Sequence, residues 1–150
     1  MSEPLDTSAP HLWLINWKAY RAIEQYDRQS IKQQGFDVLS DFAVLEVLLH
    51  KGPQPVNTIG RRVMLTSGSI TAAVDRAEKK GYVERRASPT DRRVVEVHLT
   101  PAGHEHISCA YEEHAAALEK IFSELSQDER SQFYHLMKKV GQRAQALANE

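Results

Sequence analysis

The segment from residue 56 to residue 99 constrains the fold more than any other part of this 150-residue chain. Apolar spacing predicts a short helix over 56–63 and a second helix over 67–80, joined by Met64-Leu65-Thr66. The second helix has one apolar face, which consists of Ile70, Ala73, Val74 and Ala77. Its opposite face is small, polar or basic and consists of Gly68, Ser69, Ala72, Arg76 and Lys79. This is a helix-turn-helix pattern, which by itself is also typical of a plain packing unit.

A β-hairpin with a basic tip is predicted directly after these helices. The runs 82–86 and 94–99 are β-type, and the segment between them contains Ser, Pro, Thr and Asp before ending in Arg92 and Arg93. A hairpin in this position is the wing of a winged helix, and guanidinium groups are attracted by the negative potential of a DNA minor groove. A solvated turn is the alternative, but the order of elements favours the wing.

Long helices flank this unit. Apolar spacing predicts one over 10–34, Ser40 is expected to cap the next, Thr100 and Pro101 begin another, and the Ser126 to Glu129 capping box begins the last. We therefore predict one domain over 1–150, mainly α with a small β-wing, in the order α1-α2-α3-α4-wing-α5-α6. The winged helix-turn-helix spans about 38–100, and dimerisation helices span about 10–34 and 101–148.

The apolar stripes of the flanking helices exceed what one small core can cover, which predicts a twofold homodimer. The residues expected at its interface are Leu12, Ile15, Phe133, Leu136, Met137, Val140 and Leu147.

Charge is distributed unevenly along the chain. The net charge of -1 would by itself argue against a nucleic-acid binder, since 19 Lys and Arg stand against 20 Asp and Glu. Residues 57–93, however, hold nine basic and four acidic residues, a net of +5, which leaves -6 for the remainder. The helix-turn-helix and hairpin thus form a basic region, which favours DNA binding over a winged helix used only for protein contacts.

Several function classes are disfavoured by the sequence. The longest apolar run, 42–49, is interrupted by Glu46 and is too short to cross a bilayer, and the start lacks a basic segment followed by an apolar one. The single cysteine, Cys109, cannot form an internal disulfide and is expected to be a small buried side chain. We therefore expect a cytoplasmic protein that neither spans nor binds a membrane. Because no nucleophile turn or phosphate-binding glycine loop occurs, we expect no enzyme activity.

The histidines do not predict a metal site. His104 and His106 point about 200° apart on a helix and cannot readily bind one ion, although His106 could pair with Cys109 or Glu113. We expect a solvated polar face there, and neither metal nor cofactor.

The wing tip has the pattern Asp-x-Arg, and Leu-Thr and then Gly follow six residues later. Further local strings accompany it: 65–71, Val74-Asp75-Arg76, 78–81, Val83, Arg85, Asp91-Arg92-Arg93 and 99–103. On these strings the chain resembles the MarR family of bacterial winged-helix transcriptional regulators over roughly residues 10–148, and the wing-tip pattern is distinctive of that family. Ala77 departs from the family pattern, which usually has leucine there.

The resemblance implies a homodimer that sets two recognition helices in successive major grooves of a pseudo-palindromic operator, with half-sites about 34 Å apart. It implies a repressor whose wing residue Asp91 supports the turn, while Thr66 could instead serve only as a helix cap. The residues expected to contact DNA are Arg61, Arg62, Thr66, Ser67, Ser69, Thr71, Arg76, Arg92 and Arg93.

The resemblance also implies release from DNA by a small aromatic, phenolic or quinone-type effector, bound between the dimer helices and the winged lobe. The aromatic residues expected to line that pocket are His11, Trp13, Trp17, Tyr20, Phe36, Phe42 and Tyr111, although such a stripe is also typical of a core or an interface. A metal- or redox-responsive regulator of the same fold is the alternative. Relatives that sense hydroperoxides carry a cysteine near the start of the first helix, which this sequence lacks.

Overall fold

The computed structural model describes residues 5–150. Its elements follow the predicted order, with one additional short strand: α1 (Ala9–Gln33), α2 (Leu39–Lys51), β1 (Gln54–Pro55), α3 (Val56–Arg62), α4 (Ser67–Lys79), β2 (Val83–Ala87), β3 (Val95–Leu99), α5 (Pro101–Phe122) and α6 (Gln127–Ala148). The chain divides into two compact units, one up to residue 115 and one over 116–150, and α5 crosses the boundary between them. The mainly helical fold with a small β-wing is as predicted.

Three strands form an antiparallel sheet in the order β1-β3-β2. In the hairpin Arg85 is opposite Val97, and on the other edge Gln54 is also opposite Val97. The sequence pattern predicted an extended turn at Pro53 and Pro55 but missed β1, because a strand of two residues is too short to show alternation. Pro55 is tolerated there since β1 is an edge strand.

The start of α2 differs from the prediction. The helix begins at Leu39 with Val38 as the N-cap residue, so the expectation that Ser40 caps it was wrong. Ser40 lies in the first turn, and its hydroxyl accepts a hydrogen bond from Arg76 Nη2 at 3.3 Å. The Ser40 hydroxyl therefore makes a tertiary contact with Arg76 and not the N-cap hydrogen bond that the local sequence predicts.

The core of the first unit lies between α2, α3, α4, the sheet and the first half of α5. Its largest fully buried side chains are Phe42, Val44, Leu45, Ile59, Ile70, Val74, Val83, Val97 and Ile107. The four residues predicted for the apolar face of α4 are those that the structure buries in this helix. A Cβ on Gly60 would lie only 3.1 Å from Ile70 Cγ2, which shows how closely α3 approaches α4.

The start of α5 is fixed to the turn between α4 and β2. Thr100 Oγ1 donates to the Gly81 carbonyl at 2.6 Å and accepts from the Gly103 amide at 3.0 Å, so Thr100 caps α5 as predicted. A Cβ on Gly103 would lie 1.9 Å from the Tyr82 carbonyl oxygen. Only glycine permits this approach, which explains physically why a glycine stands at position 103.

The second unit contains the end of α5 and all of α6. The predicted capping box is present: Ser126 Oγ accepts from the Glu129 amide, and the Glu129 carboxylate accepts from the Ser126 amide at 2.8 Å. Arg130 Nη2 joins α6 to α5 through Glu119 Oε1 at 2.6 Å and the Phe122 carbonyl at 2.8 Å. Apart from Arg130, every residue of α6 is exposed.

Cys109, the possible metal ligands and the apolar helices can now be compared with the sequence-based expectations. Cys109 is exposed, which contradicts the expectation that it is buried, because it lies about 200° around α5 from the buried Ile107. Over residues 5–150, the structure holds no group of three or more His, Cys, Asp or Glu side chains that could bind a metal ion. Within the same residues, no helix is both long and apolar enough to span a bilayer.

Candidate nucleic-acid interface

The first turn of α4 is closed by its own side chains. Thr66 is the N-cap residue: its hydroxyl accepts from the Ser69 amide at 3.3 Å and donates to Ser69 Oγ at 3.0 Å. Thr71 Oγ1 donates to the Ser67 carbonyl at 2.8 Å. All four residues are exposed, and the positive end of the helix dipole beside them favours a phosphate.

Arg76 does not extend from the outer face of α4, as the helical projection predicted. Its Nε and Nη2 atoms bind the Asp41 carboxylate, at 3.0 Å and 2.6 Å to Oδ1. Asp41 is buried, and its hydrogen bonds raise the pKa of Arg76 above the usual value. A buried carboxylate requires a charged partner, so Arg76 fastens α4 to α2 and is not free to read a base.

The tip of the wing holds Arg93 in a defined direction. Its backbone amide donates to Asp91 Oδ1 at 3.0 Å, and its guanidinium donates to the same carboxylate at 3.2 and 3.1 Å. These hydrogen bonds lower the pKa of Asp91, yet the Arg93 side chain stays 89% exposed. Asp91 therefore orients an arginine that remains available to a ligand.

The ion pairs divide the basic residues of 57–93 into two groups. Asp75 and Glu78 both bind Arg85, Glu84 binds Arg86, and Asp91 binds Arg93. Arg76 binds Asp41, which lies outside this segment. Within residues 5–150, the basic residues of the segment that form no ion pair are Arg61, Arg62, Lys79, Lys80 and Arg92.

The two arginines of α3 have different surroundings. Arg61 Nη2 donates to Thr58 Oγ1 at 3.3 Å, within its own helix. Arg62 borders a groove of about 360 Å³ with Glu46, His50 and Lys51 of α2. Both side chains are exposed, so both can meet a phosphate.

Comparison with known proteins decides the family. The model of the MarR family matches residues 39–95. The HTH-type transcriptional regulator MhqR of Bacillus subtilis (strain 168) is 38% identical over 139 residues, which cover 93% of this chain and 95% of that protein. The chain belongs to the MarR family. It is thus a winged-helix, DNA-binding transcriptional regulator.

Two solved structures align along most of the chain. Reduced AbfR bound to DNA matches with a TM-score of 0.70 and 26% identity, covering 93% of each chain. The organohalide-sensing regulator RdhR-CbdbA1625, in its 2,4-dichlorophenol-bound form, matches with a TM-score of 0.73, covering 95% of this chain and 88% of that one. Its 18% identity shows a shared fold alone.

The aromatic residues expected to line an effector pocket are divided by the structure. Phe36 and Phe42 are buried in the core, where their rings meet edge to face at 5.3 Å, so they are packing residues. Tyr111 is half-buried against His50. In contrast, Trp13, Trp17 and Tyr20 are exposed along α1, and His11 lies 3.4 Å from Asp6. That all seven line one effector pocket stays a prediction, and in the single chain Phe36 and Phe42 belong to the core.

Sequence reasoning missed the residues that position the recognition helix α4 of this MarR-family chain. Asp41 and Arg85 hold α4 from two sides, one from α2 and one from β2. The acids Asp75 and Glu78, three residues apart on α4, were a signal for a basic partner such as Arg85. Local sequence contains no comparable signal for Asp41, which is 35 residues from Arg76.

Proposed function

We propose that this MarR-family chain is a homodimeric repressor that binds a pseudo-palindromic operator and leaves it when a small aromatic effector binds. The distribution of unpaired positive charge carries the proposal. Five basic side chains without ion pairs in the described chain lie on α3, at the end of α4 and at the wing tip. Phosphates are the ligand that such a distribution suits.

Each part of the basic surface has its own role in this proposal. The first turn of α4, with Ser67, Ser69 and Thr71, enters the major groove, while Thr66 caps the helix. Arg93, oriented by Asp91, enters the minor groove, and Arg92 binds the flanking backbone. Phosphate contacts come from Arg61 and Arg62 on α3 and from the lysines that end α4. Arg76 is not among the DNA contacts, since its guanidinium is bound to Asp41.

Exposed apolar residues support the homodimer. The side chains concerned are 43–65% exposed in the single chain, which is unusual for so many large apolar residues: Leu12, Ile15, Phe133, Leu136, Met137, Val140 and Leu147. Burial against a second copy would remove their apolar surface from water at about 25 cal/mol per Å². The dimer also sets two copies of α4 at the spacing of successive major grooves.

The effector is proposed to bind against the aromatic stripe of α1. Trp13 is 67% exposed, and Trp17 and Tyr20 continue the stripe at helical spacing. Planar phenols and aromatic acids stack well on such rings, and RdhR-CbdbA1625 is a MarR-type structure with a phenol bound. Release from DNA requires that the effector prefer a dimer geometry in which the two copies of α4 do not match the operator.

Selection of bound sequences from random double-stranded DNA tests the proposal directly. We expect an enriched palindrome with half-sites about 10 base pairs apart. Binding should weaken about a thousandfold or more between 50 and 200 mM salt, if six or more of the basic side chains in the dimer contact phosphates. Repeating the titration with a panel of phenols, aromatic acids and quinones identifies the effector class. Absence of any enriched palindrome would refute the proposal.

A further inference from the structure

The outward face of α4 presents methyl groups at the place where base-reading helices often carry long polar side chains. Residues 67–75 read Ser-Gly-Ser-Ile-Thr-Ala-Ala-Val-Asp, so this stretch contains none of the Arg, Lys, Asn and Gln residues that make bidentate hydrogen bonds to bases. Ala72 is exposed and lies on the side of the helix opposite the buried Ile70 and Val74. Thr71 is exposed beside it.

The long polar side chains that follow are already bound within the lobe. Asp75 Oδ1 accepts from Arg85 Nη2 at 2.6 Å, and Arg76 is held by Asp41. Lys79 lies seven residues beyond Ala72, about 10 Å further along the helix axis, where the groove floor gives way to the backbone. None of these three is therefore placed to read the base pairs that face the middle of α4.

The hydroxyl of Thr71 is also used inside the helix. Its Oγ1 donates to the Ser67 carbonyl at 2.8 Å, and a threonine hydroxyl has one proton to donate. The hydroxyl can still accept a hydrogen bond, but the apolar group that this exposed side chain offers to a partner is its γ-methyl. The Cβ of the next residue, Ala72, is the second exposed methyl group on this turn.

We propose that Ala72 and the γ-methyl of Thr71 read the 5-methyl group of thymine in the major groove. Thymine is the one unmodified DNA base that presents a methyl group there, and alanine and threonine methyls are suited to contact it. The inference rests on the proposed function, in which α4 lies in the major groove. It specifies that each half-site contains a thymine, on either strand, facing the second turn of α4.

Deoxyuridine substitution tests the inference on the operator obtained by selection. Uracil keeps the base pair and the O4 acceptor of thymine and lacks only the 5-methyl group. Each thymine is replaced singly, and Kd is measured by fluorescence anisotropy at fixed salt. Loss of one buried methyl contact should weaken binding about fourfold, and the paired change in both half-sites about sixteenfold. Thymines elsewhere in the duplex provide the internal control.

Protein variants test whether Thr71 and Ala72 cause the loss of affinity that uridine produces. Thr71→Ser keeps the hydroxyl and its bond to Ser67 but removes the γ-methyl, and Ala72→Gly removes the other methyl. Each variant should bind the thymine operator about fourfold more weakly and lose the uridine effect at the position that it contacts. Ala146→Gly, the same loss of a methyl group at an exposed position of α6, is the matched control and should keep the fourfold uridine effect. Circular dichroism checks that α4 is intact. If Ala72→Gly does not fold, the result for Thr71→Ser alone tests methyl reading.

The outcomes separate this inference from the proposed function. A salt-sensitive palindromic operator whose affinity is unchanged by uridine at every position overturns methyl reading and leaves DNA binding intact. Equal uridine effects in Thr71→Ser and in Ala146→Gly at all positions overturn the assignment to Thr71. Failure to select any operator overturns the proposed function, and methyl reading with it.

Discussion

Helices α4 and α6 are both amphipathic, but they satisfy their apolar faces in different ways. The four apolar residues of α4 are 0–3% exposed inside the winged lobe, whereas five of the large apolar residues of α6 are 43–65% exposed. Helix α4 therefore has all its packing partners within the chain. For α6 the described chain leaves the apolar face uncovered, which is what a helix that completes its packing with a second copy should show. The following predictions test this difference.

The largest effect is expected in the core of the lobe. Ile70→Ala removes a side chain that is 1% exposed and packs against Gly60, so the free energy of unfolding should fall by about 2–5 kcal/mol. Chemical denaturation measures this loss. Leu136→Ala, the matched change on α6, should reduce stability only through dimerisation, so its effect should grow with protein concentration. A loss for Leu136→Ala that equals that of Ile70→Ala at every concentration would contradict the comparison.

Disruption of the α6 face is expected to separate the protomers. Leu136→Asp places a carboxylate in the proposed interface, and each dimer contains this change twice. The free energy of dimerisation should therefore become less favourable by about 3 kcal/mol or more. Sedimentation velocity measures the shift from dimer to monomer. Gln142→Asp, on the opposite face of the same helix, is the control and should remain dimeric.

The polar attachment of α4 should have an intermediate effect. Asp41→Asn replaces the carboxylate that holds Arg76, and the buried amide cannot reproduce its charged hydrogen bonds, so the lobe should lose about 1–3 kcal/mol of stability. Thermal unfolding of this variant is compared with that of Asp37→Asn, an exposed aspartate four residues earlier. If the two variants melt at the same temperature, the ion pair does not fasten α4.

The exposed wing should affect DNA affinity without affecting stability. Arg93→Ala removes a side chain that is 89% exposed, so the unfolding curve should not move. Operator affinity should nevertheless fall by more than about tenfold, or about 1.4 kcal/mol. A gel-shift titration measures the loss. Unchanged binding would remove Arg93 from the DNA interface.

The smallest effect concerns pH. His106 is stacked between Phe36 and Tyr82, with ring centroids 4.9 and 4.6 Å away, and burial lowers its pKa, with nearby Lys80 acting in the same direction. The unfolded chain therefore binds a proton at this position more readily than the folded chain does. The contribution of His106 to the free energy of unfolding is present above about pH 6.5 and is lost as the pH falls through the lower pKa of the folded state. The unfolding free energy of His106→Phe should therefore decline less between pH 7 and 5 than that of the unmodified chain. Equal declines would show that His106 does not contribute.

The sequence predicted what depends on local pattern and failed where distant residues decide. The order of elements, the buried face of α4, the Thr100 cap and the capping box of α6 follow from periodicity and capping chemistry. The direction of Arg76 does not, because a helical projection locates its Cα but not a guanidinium drawn to a buried carboxylate on another helix. Ser40 was misassigned for the same reason, and the exposure of Cys109 depends on which side of α5 faces the lobe.

Net charge shows the same limit. The net charge of +5 over residues 57–93 was visible in the sequence, but the sequence did not show which of the basic side chains form ion pairs within the chain. Pairing within the chain removes Arg76, Arg85 and Arg86 from the surface charge available to DNA and turns Arg93 into an oriented group. The candidate interface is therefore smaller and more sharply defined than the basic segment that predicted it.

The close approach of Gly103 to the Tyr82 carbonyl has a mechanical consequence. It ties the first turn of α5 directly to the backbone that leads from the recognition helix into the wing. Any side chain added at Gly103 would therefore have to displace either the start of α5 or Tyr82, and with Tyr82 the beginning of β2. A substitution outside the DNA-binding surface would in this way change the position of the wing.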